Sequence, residues 1–232
     1  MSAVLSVVTP DASYLLTDGA SYDEHGVLLS VGRKVMLAKN MPLAVTVRGH
    51  ATVGDFWKER LIKHADRYGV DMLLANLGDI LAGLARNEDV RATMAGINQV
   101  EVIISAWSPT QGGVHRRFVT DGPDAFCAQT PDQMFYAGPI DADPTPHISP
   151  LREGETIEDW LRRGGVGMFE AFRRQLGRCN VTGKLADYHA IGGQLDLTTV
   201  CADFCRMETI HKWPDAIGEK INPFRGDARM AA

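Results

Sequence analysis

The first fifty residues alternate between short β-rich runs and residues that break them, and no other feature narrows the fold as far. Ala3 to Thr9, Ser13 to Thr17, Val27 to Ser30, Lys34 to Ala38 and Leu43 to Val47 are aliphatic and β-branched. Thr9-Pro10-Asp11-Ala12, Asp18-Gly19, Gly32 and Arg48-Gly49-His50 interrupt them. Proline fixes φ and removes a donor, while Gly and Asp favour tight turns, so each interruption ends a ladder. Connections this short cannot hold the crossover helix that parallel strands need. The expected arrangement is therefore an antiparallel meander.

The hydrophobic period then changes. From Ala51 to about Tyr68, Val53, Phe56, Trp57, Leu61, Ile62 and Ala65 recur at helical spacing. A second helix follows Gly69, with Met72, Leu73, Leu77, Ile80, Leu81 and Leu84 on one face. Strand character returns at Gln99 to Trp107 and Gly113 to Val119, with Gly112-Gly113 at the hairpin turn, and again near Met134 to Ala137. Pro139, Pro144, Pro146 and Pro150 mark a loop from Pro139 to Glu155. Thr156-Ile157-Glu158-Asp159 has the capping pattern that opens a helix, here a long one to about Leu176 and the first of a pair. Gly192-Gly193 leads into a last hairpin, Leu195 to Ala202 and Cys205 to His211. Strands, two helices, strands, a helix pair and strands predict an α+β domain over 1–212, with two antiparallel sheets and helices on their outer faces. The segment 213–232, polar with Pro and Gly, is expected as a C-terminal surface extension.

Composition excludes several functions. A chain of 232 residues, 45% apolar and 23% charged, can bury a core without disulfide staples. A net charge of −5 lacks the basic surplus of a nucleic-acid platform. No apolar run reaches the roughly 18 residues of a membrane helix. The start, MSAVLSVVTPDAS, has no basic segment and no true apolar core, so it does not read as a signal peptide. Cys127, Cys179, Cys201 and Cys205 show no disulfide-framework spacing. A reducing cytoplasm is the expected compartment, with no nucleic acid and no membrane as partner.

One constellation is more specific. Asp18 stands 16 positions after Ser2, in T-D-G, and Lys34 stands 32 positions after Ser2, in G-R-K-V. L-A-V-T-V-R-G then turns into the first helix through VRGHATVGDFWKERL. In these features the chain resembles proteasome-type β subunits and the peptidase subunit of their bacterial ATP-dependent relative. Both are N-terminal nucleophile hydrolases. The resemblance covers about residues 2–60 well and the rest in outline. It implies a four-layer αββα sandwich, with Ser2 as nucleophile once Met1 is removed. A serine at position 2 is small enough for methionine aminopeptidase to remove Met1. By the same resemblance Asp18 and Lys34 complete the catalytic set, and Gly49 supplies the oxyanion-binding N–H. Ser21, Val47, Arg48 and His50 fall along the substrate cleft. A peptide or small amide is the implied substrate, with no cofactor, a ring or other homo-oligomer as the assembly, and an ATPase as a possible partner.

The residue types suit that chemistry. A serine hydroxyl needs a base to take its proton. A free α-amine, with a pKa of about 7.7–8.0, is such a base near neutral pH. A neighbouring lysine cation favours the alkoxide-like transition state and disfavours protonation of the amine. A carboxylate at Asp18 anchors that lysine by a charge-assisted hydrogen bond.

The chain also departs from the family. Active proteasome-type subunits carry a Ser after a Gly near mid-chain, and an Asp and a Ser just before a late Gly-Gly. Here the corresponding segments are Tyr136-Ala137-Gly138-Pro139 and Tyr188-His189-Ala190-Ile191 ahead of Gly192-Gly193. Asp187 and His189 are the substitutes at hand. The losses define a second reading: an inert proteasome-like subunit with a structural or interaction role, as in a phage-like particle. A small-metabolite amidase is a third. Arg48 stands where the family prefers small residues, and either binds an acidic substrate group or narrows the cleft. Cys201-x-x-x-Cys205 with His211 lacks a second cysteine pair, and buried inert thiols explain it better than a metal.

Overall fold

A computed structural model describes residues 2–88, 92, 100–120, 125, 127–138, 147–178 and 185–225. Met1, Gln99, Pro139, Pro144, Pro146, Cys179 and the stretch beyond 225 lie outside these described residues. The opening meander forms β1 (Val4–Val8), β2 (Ala12–Asp18), β3 (Ala20–Tyr22), β4 (Leu28–Val31), β5 (Val35–Leu37) and β6 (Leu43–Arg48). Three helices follow, α1 (Ala51–Tyr68), α2 (Val70–Ala75) and α3 (Leu77–Ala85). Next come β7 (Glu101–Ser108), β8 (Gly112–Val119), β9 (Ala128–Gln129) and β10 (Met134–Ala137). Helix α4 (Ile157–Arg173) precedes β11 (Leu176–Arg178), β12 (Leu185–His189), β13 (Gln194–Cys201) and β14 (Cys205–Lys212).

The strands make two five-stranded antiparallel sheets, ordered β10-β1-β2-β13-β14 and β5-β6-β7-β8-β9, and two small sheets, β3-β4 and β11-β12. The large sheets pack face to face. Val4, Leu15 and Val200 of the first meet Val35, Ala44 and Ile103 of the second. Polar pairs also cross this interface: Ser13 and Ser105 share a hydrogen bond of 2.6 Å, and Ser6 meets His115 Nδ1 at 2.9 Å. Trp57, Leu61, Leu73, Leu77 and Leu81 pack on Leu43, Val45, Val102 and Phe118. Trp160, Leu161, Phe169 and Phe172 of α4 pack on Leu5, Leu16, Leu195 and Leu197.

These proportions correct the expected α+β four-layer αββα sandwich. Among the described residues, fourteen strands stand against four helices, in sheets of five, two, five and two strands, and the architecture is mainly β. One local difference lowers the helical share and a second divides a helix in two. The partner expected for the long helix is instead the β11–β12 hairpin. The second helix of the first group breaks at Asn76, whose φ of −110° and ψ of 11° leave α2 with a single turn and a half. The capping pattern at Thr156 does open α4: its Oγ1 accepts from the Asp159 N–H at 3.1 Å.

The segment after β14, expected on the surface, folds back. Trp213 and Ile221 are buried, and Lys220 and Ile221 bridge to Val27 and His189. No helix among the described residues is long and apolar enough to cross a membrane.

Candidate active site

The candidate residues converge from both large sheets. Ser2 precedes β1 and Asp18 ends β2 in the first sheet, whereas Lys34 precedes β5 and Arg48 ends β6 in the second. Lys34 Nζ donates to Ser2 Oγ at 2.9 Å and to Asp18 Oδ2 at 2.8 Å. Asp18 is fully buried and also accepts from the backbone N–H of Ala3, at 2.9 Å, and of Ala20, at 3.2 Å. Ser2 is 9% exposed, enough to keep its hydroxyl on the wall of a cleft of about 560 Å³. One carboxylate thus fixes the lysine, and through the Ala3 amide it also fixes the backbone that carries Ser2.

Burial strips water from the Lys34 ammonium and lowers its pKa below the ordinary lysine value. Asp18 opposes that shift, and the Arg48 cation adds to it. A cation held in this way is a stronger partner for a developing oxyanion than a solvated surface lysine.

Of the residues expected along the cleft, Ser21, Val47 and His50 line it, as does Gly49, the expected oxyanion donor. Gly49 adopts φ +136°, a value few side-chain-bearing residues take, and so turns the chain from β6 into α1. His50 caps α1 by backbone geometry alone, its side chain making no cap hydrogen bond and lying exposed in the cleft. Gly54 lets α1 close on β6, since a Cβ there would sit 3.2 Å from the Val47 Cβ.

Arg48 is elsewhere. Its side chain does not line the cleft; Nε donates to the Ser2 carbonyl oxygen at 2.7 Å, and Nη1 pairs with the Glu101 carboxylate.

The proposed substitutes for the missing supporting residues do not reach Ser2. Asp187 is exposed and lies 3.6 Å from Lys220, while His189 Nδ1 meets the Gln175 carbonyl and its ring packs on Phe224. Ala137 pairs with Val4 beside the chain start and brings no hydroxyl there; Ile191 is fully buried.

The sequence reading passed over two site residues. Lys58 of α1 lines the cleft, donates to the Lys34 carbonyl at 3.2 Å and pairs with Asp55 at 2.7 Å. Its signal was its place four residues after Gly54, on the flank of the apolar stripe. Glu101 was the second. Alternation along Glu101-Val102-Ile103-Ile104 puts its side chain on the Ile103 face, and a buried carboxylate requires a cation. Burial alone would raise its pKa; Arg48 and Arg117 outweigh that and hold it below the ordinary range.

Cys201, Cys205 and His211 are not a ligand set. Cys205 pairs with Val200 at one end of the β13–β14 ladder and His211 with Leu195 at the other, and burial pushes the Cys205 thiol up to about 12. Among the described residues no group of three or more His, Cys, Asp or Glu is placed to hold a metal ion. Comparison with models of known protein families gave no match, and no curated protein matched the chain.

Proposed function

We propose that the chain is an amide hydrolase of the N-terminal nucleophile type, acting on a peptide or small amide through Ser2. The observation that carries this reading is the Ser2–Lys34–Asp18 chain of hydrogen bonds, at 2.9 and 2.8 Å, on the wall of an open cleft. Once the residue before Ser2 is removed, the freed α-amine takes the proton from Oγ as Oγ adds to the substrate carbonyl. The oxyanion is met by the Lys34 ammonium and by the Gly49 N–H, in a preorganised site where one such donor contributes about 3 kcal/mol. As the C–N bond breaks, the leaving amine takes the proton held by the α-ammonium, and Ser2 is left as an ester. Water then adds with the α-amine again as base, and the acid departs. Assembly as a homo-oligomer and an ATPase partner belong to the same reading.

A second reading has its own support. Tyr136-Ala137-Gly138-Pro139 has no Ser after its Gly, and Tyr188-His189-Ala190-Ile191 has neither the Asp nor the Ser with which active subunits support the terminal amine. An inert proteasome-like subunit with a structural role would carry the same Ser2 geometry without turnover. The two separate by intact mass and assay of the native protein. The hydrolase reading expects loss of Met1 and turnover of amide substrates that Ser2→Ala abolishes; activity unchanged by Ser2→Ala would overturn it. Retention of Met1 with no turnover selects the inert subunit.

A further inference from the structure

We propose that Arg48 is a positioning residue, tying the nucleophile strand to the turn that receives the oxyanion by holding the Ser2 carbonyl. The inference rests on the N-terminal nucleophile reading of Ser2. Ser2 leads into a strand of one large sheet and Gly49 follows a strand of the other, so any slide between the sheets would alter the separation of nucleophile and oxyanion donor. Arg48 crosses that junction. Its backbone immediately precedes Gly49, and its Nε donates to the Ser2 carbonyl oxygen at 2.7 Å.

The guanidinium is held at its other end. Arg48 and Glu101 are directly opposed in the β6–β7 ladder, and Nη1 meets the Glu101 carboxylate. Glu101 is 2% exposed and also accepts from Arg117 Nε, while Arg117 Nη1 reaches Gln129 Oε1 at 3.3 Å. A planar fork with two edges committed in this way has little rotamer freedom left to lose, and its hold on the carbonyl is rigid. The same commitments argue against a role in binding an acidic substrate group, because the side chain lies outside the cleft lining. A lysine in its place has one nitrogen where the fork uses two, Nε for the Ser2 carbonyl and Nη1 for Glu101, so it does not reproduce the hold.

The test uses a β-lactone as acylating probe on the native full-length protein. Ser2 Oγ adds to the lactone carbonyl, the ring acyl C–O bond breaks, and the ring oxygen leaves carrying the proton that Oγ gave up. The adduct therefore gains the whole mass of the probe, which intact-mass measurement reads as kinact and KI. Arg48→Lys is expected to lower kinact at least tenfold with KI unchanged within twofold, because Arg48 orients Ser2 without touching the probe. Unchanged kinact overturns the proposal while the nucleophile reading stands. A raised KI for an anionic lactone, with kinact unchanged, also overturns it and makes Arg48 a substrate contact. No adduct on the wild-type protein, or equal adduct on Ser2→Ala, removes the nucleophile reading and this proposal with it. One measurement needs no variant: the Arg48 Nε–H resonance of the wild-type protein is expected to exchange slowly with solvent, and rapid exchange would remove the contact on which the proposal stands.

Discussion

Lys34 and Asp18 are coupled so closely that neither can be changed without stranding the other. Asp18 is fully buried and Lys34 14% exposed, so Lys34→Ala leaves a buried carboxylate with no cation. Breaking a buried pair from one side costs about 3–5 kcal/mol, whereas replacing both partners with neutral groups of similar volume is often close to neutral. We expect Lys34→Ala to lose stability on that scale in urea denaturation, and Asp18→Asn with Lys34→Met to recover most of it. Both variants should lose about 10²–10³-fold in rate, the scale for removing one preorganised donor to an oxyanion. A folded double variant with wild-type turnover would separate the pair from the chemistry. The spacing of these residues was legible in the sequence because it counts along one chain from Ser2. Arg48 was legible as a cation near the turn but not in its direction, since its partners Ser2 and Glu101 are 46 and 53 positions away.

At the level of elements, one dipeptide meant more in space than in sequence. Gly112-Gly113 reads as a hairpin turn, and it does begin β8 opposite Trp107 and Ser108. Its further role is to dock that hairpin on the β1–β2 turn of the other sheet, where the Gly113 N–H donates to the Pro10 carbonyl at 3.0 Å. A Cβ on Gly113 would lie 2.2 Å from the Ala12 oxygen and 2.3 Å from the Thr9 oxygen, both backbone atoms that cannot swing aside. Gly113→Ala must therefore part the two turns, at about 1–3 kcal/mol or somewhat more. The check is the urea midpoint, and an unchanged midpoint would mean that the turns are not in contact. The ends of α1 were clear from periodicity, bounded by Gly49 and Gly69. The break at Asn76 was not, because Leu73, Leu77, Ile80 and Leu81 keep one apolar face across it. The β11–β12 hairpin was hidden for a related reason: Leu176 and Tyr188 sit among Gly, Arg and His with no clean alternation to mark a strand.

Over the whole molecule, the last described segment closes the fold around a buried charge. Arg173 of α4 is 2% exposed, donates through Nη1 and Nη2 to Asp215 at 2.7 and 3.0 Å, and lies 4.8 Å over the Trp213 ring. Asp215 in turn accepts from the Gly193 N–H at 2.7 Å. The Gly19 N–H donates to the Gly192 and Gln194 carbonyls at 3.2 and 2.8 Å, so this clamp ends one residue from Asp18. A composition dominated by polar residues, Pro and Gly suggested a surface tail because composition cannot show that a single aspartate meets a single buried arginine. Asp215→Ala would strip the guanidinium of both short carboxylate contacts, leaving only Glu170 at 3.9 Å from Nε, and would orphan the Gly193 N–H as well. The expected loss is about 3–5 kcal/mol at neutral pH. It should be nearly the same at 0.15 M and 1 M salt, because a pair this deeply buried is little screened. An exposed tail would give the opposite result, a change within about 0.5 kcal/mol in urea denaturation. If the clamp also holds Asp18 in register, amide turnover in Asp215→Ala will fall at temperatures where the variant is still folded, linking the C-terminal segment to the far end of the Ser2–Lys34–Asp18 chain.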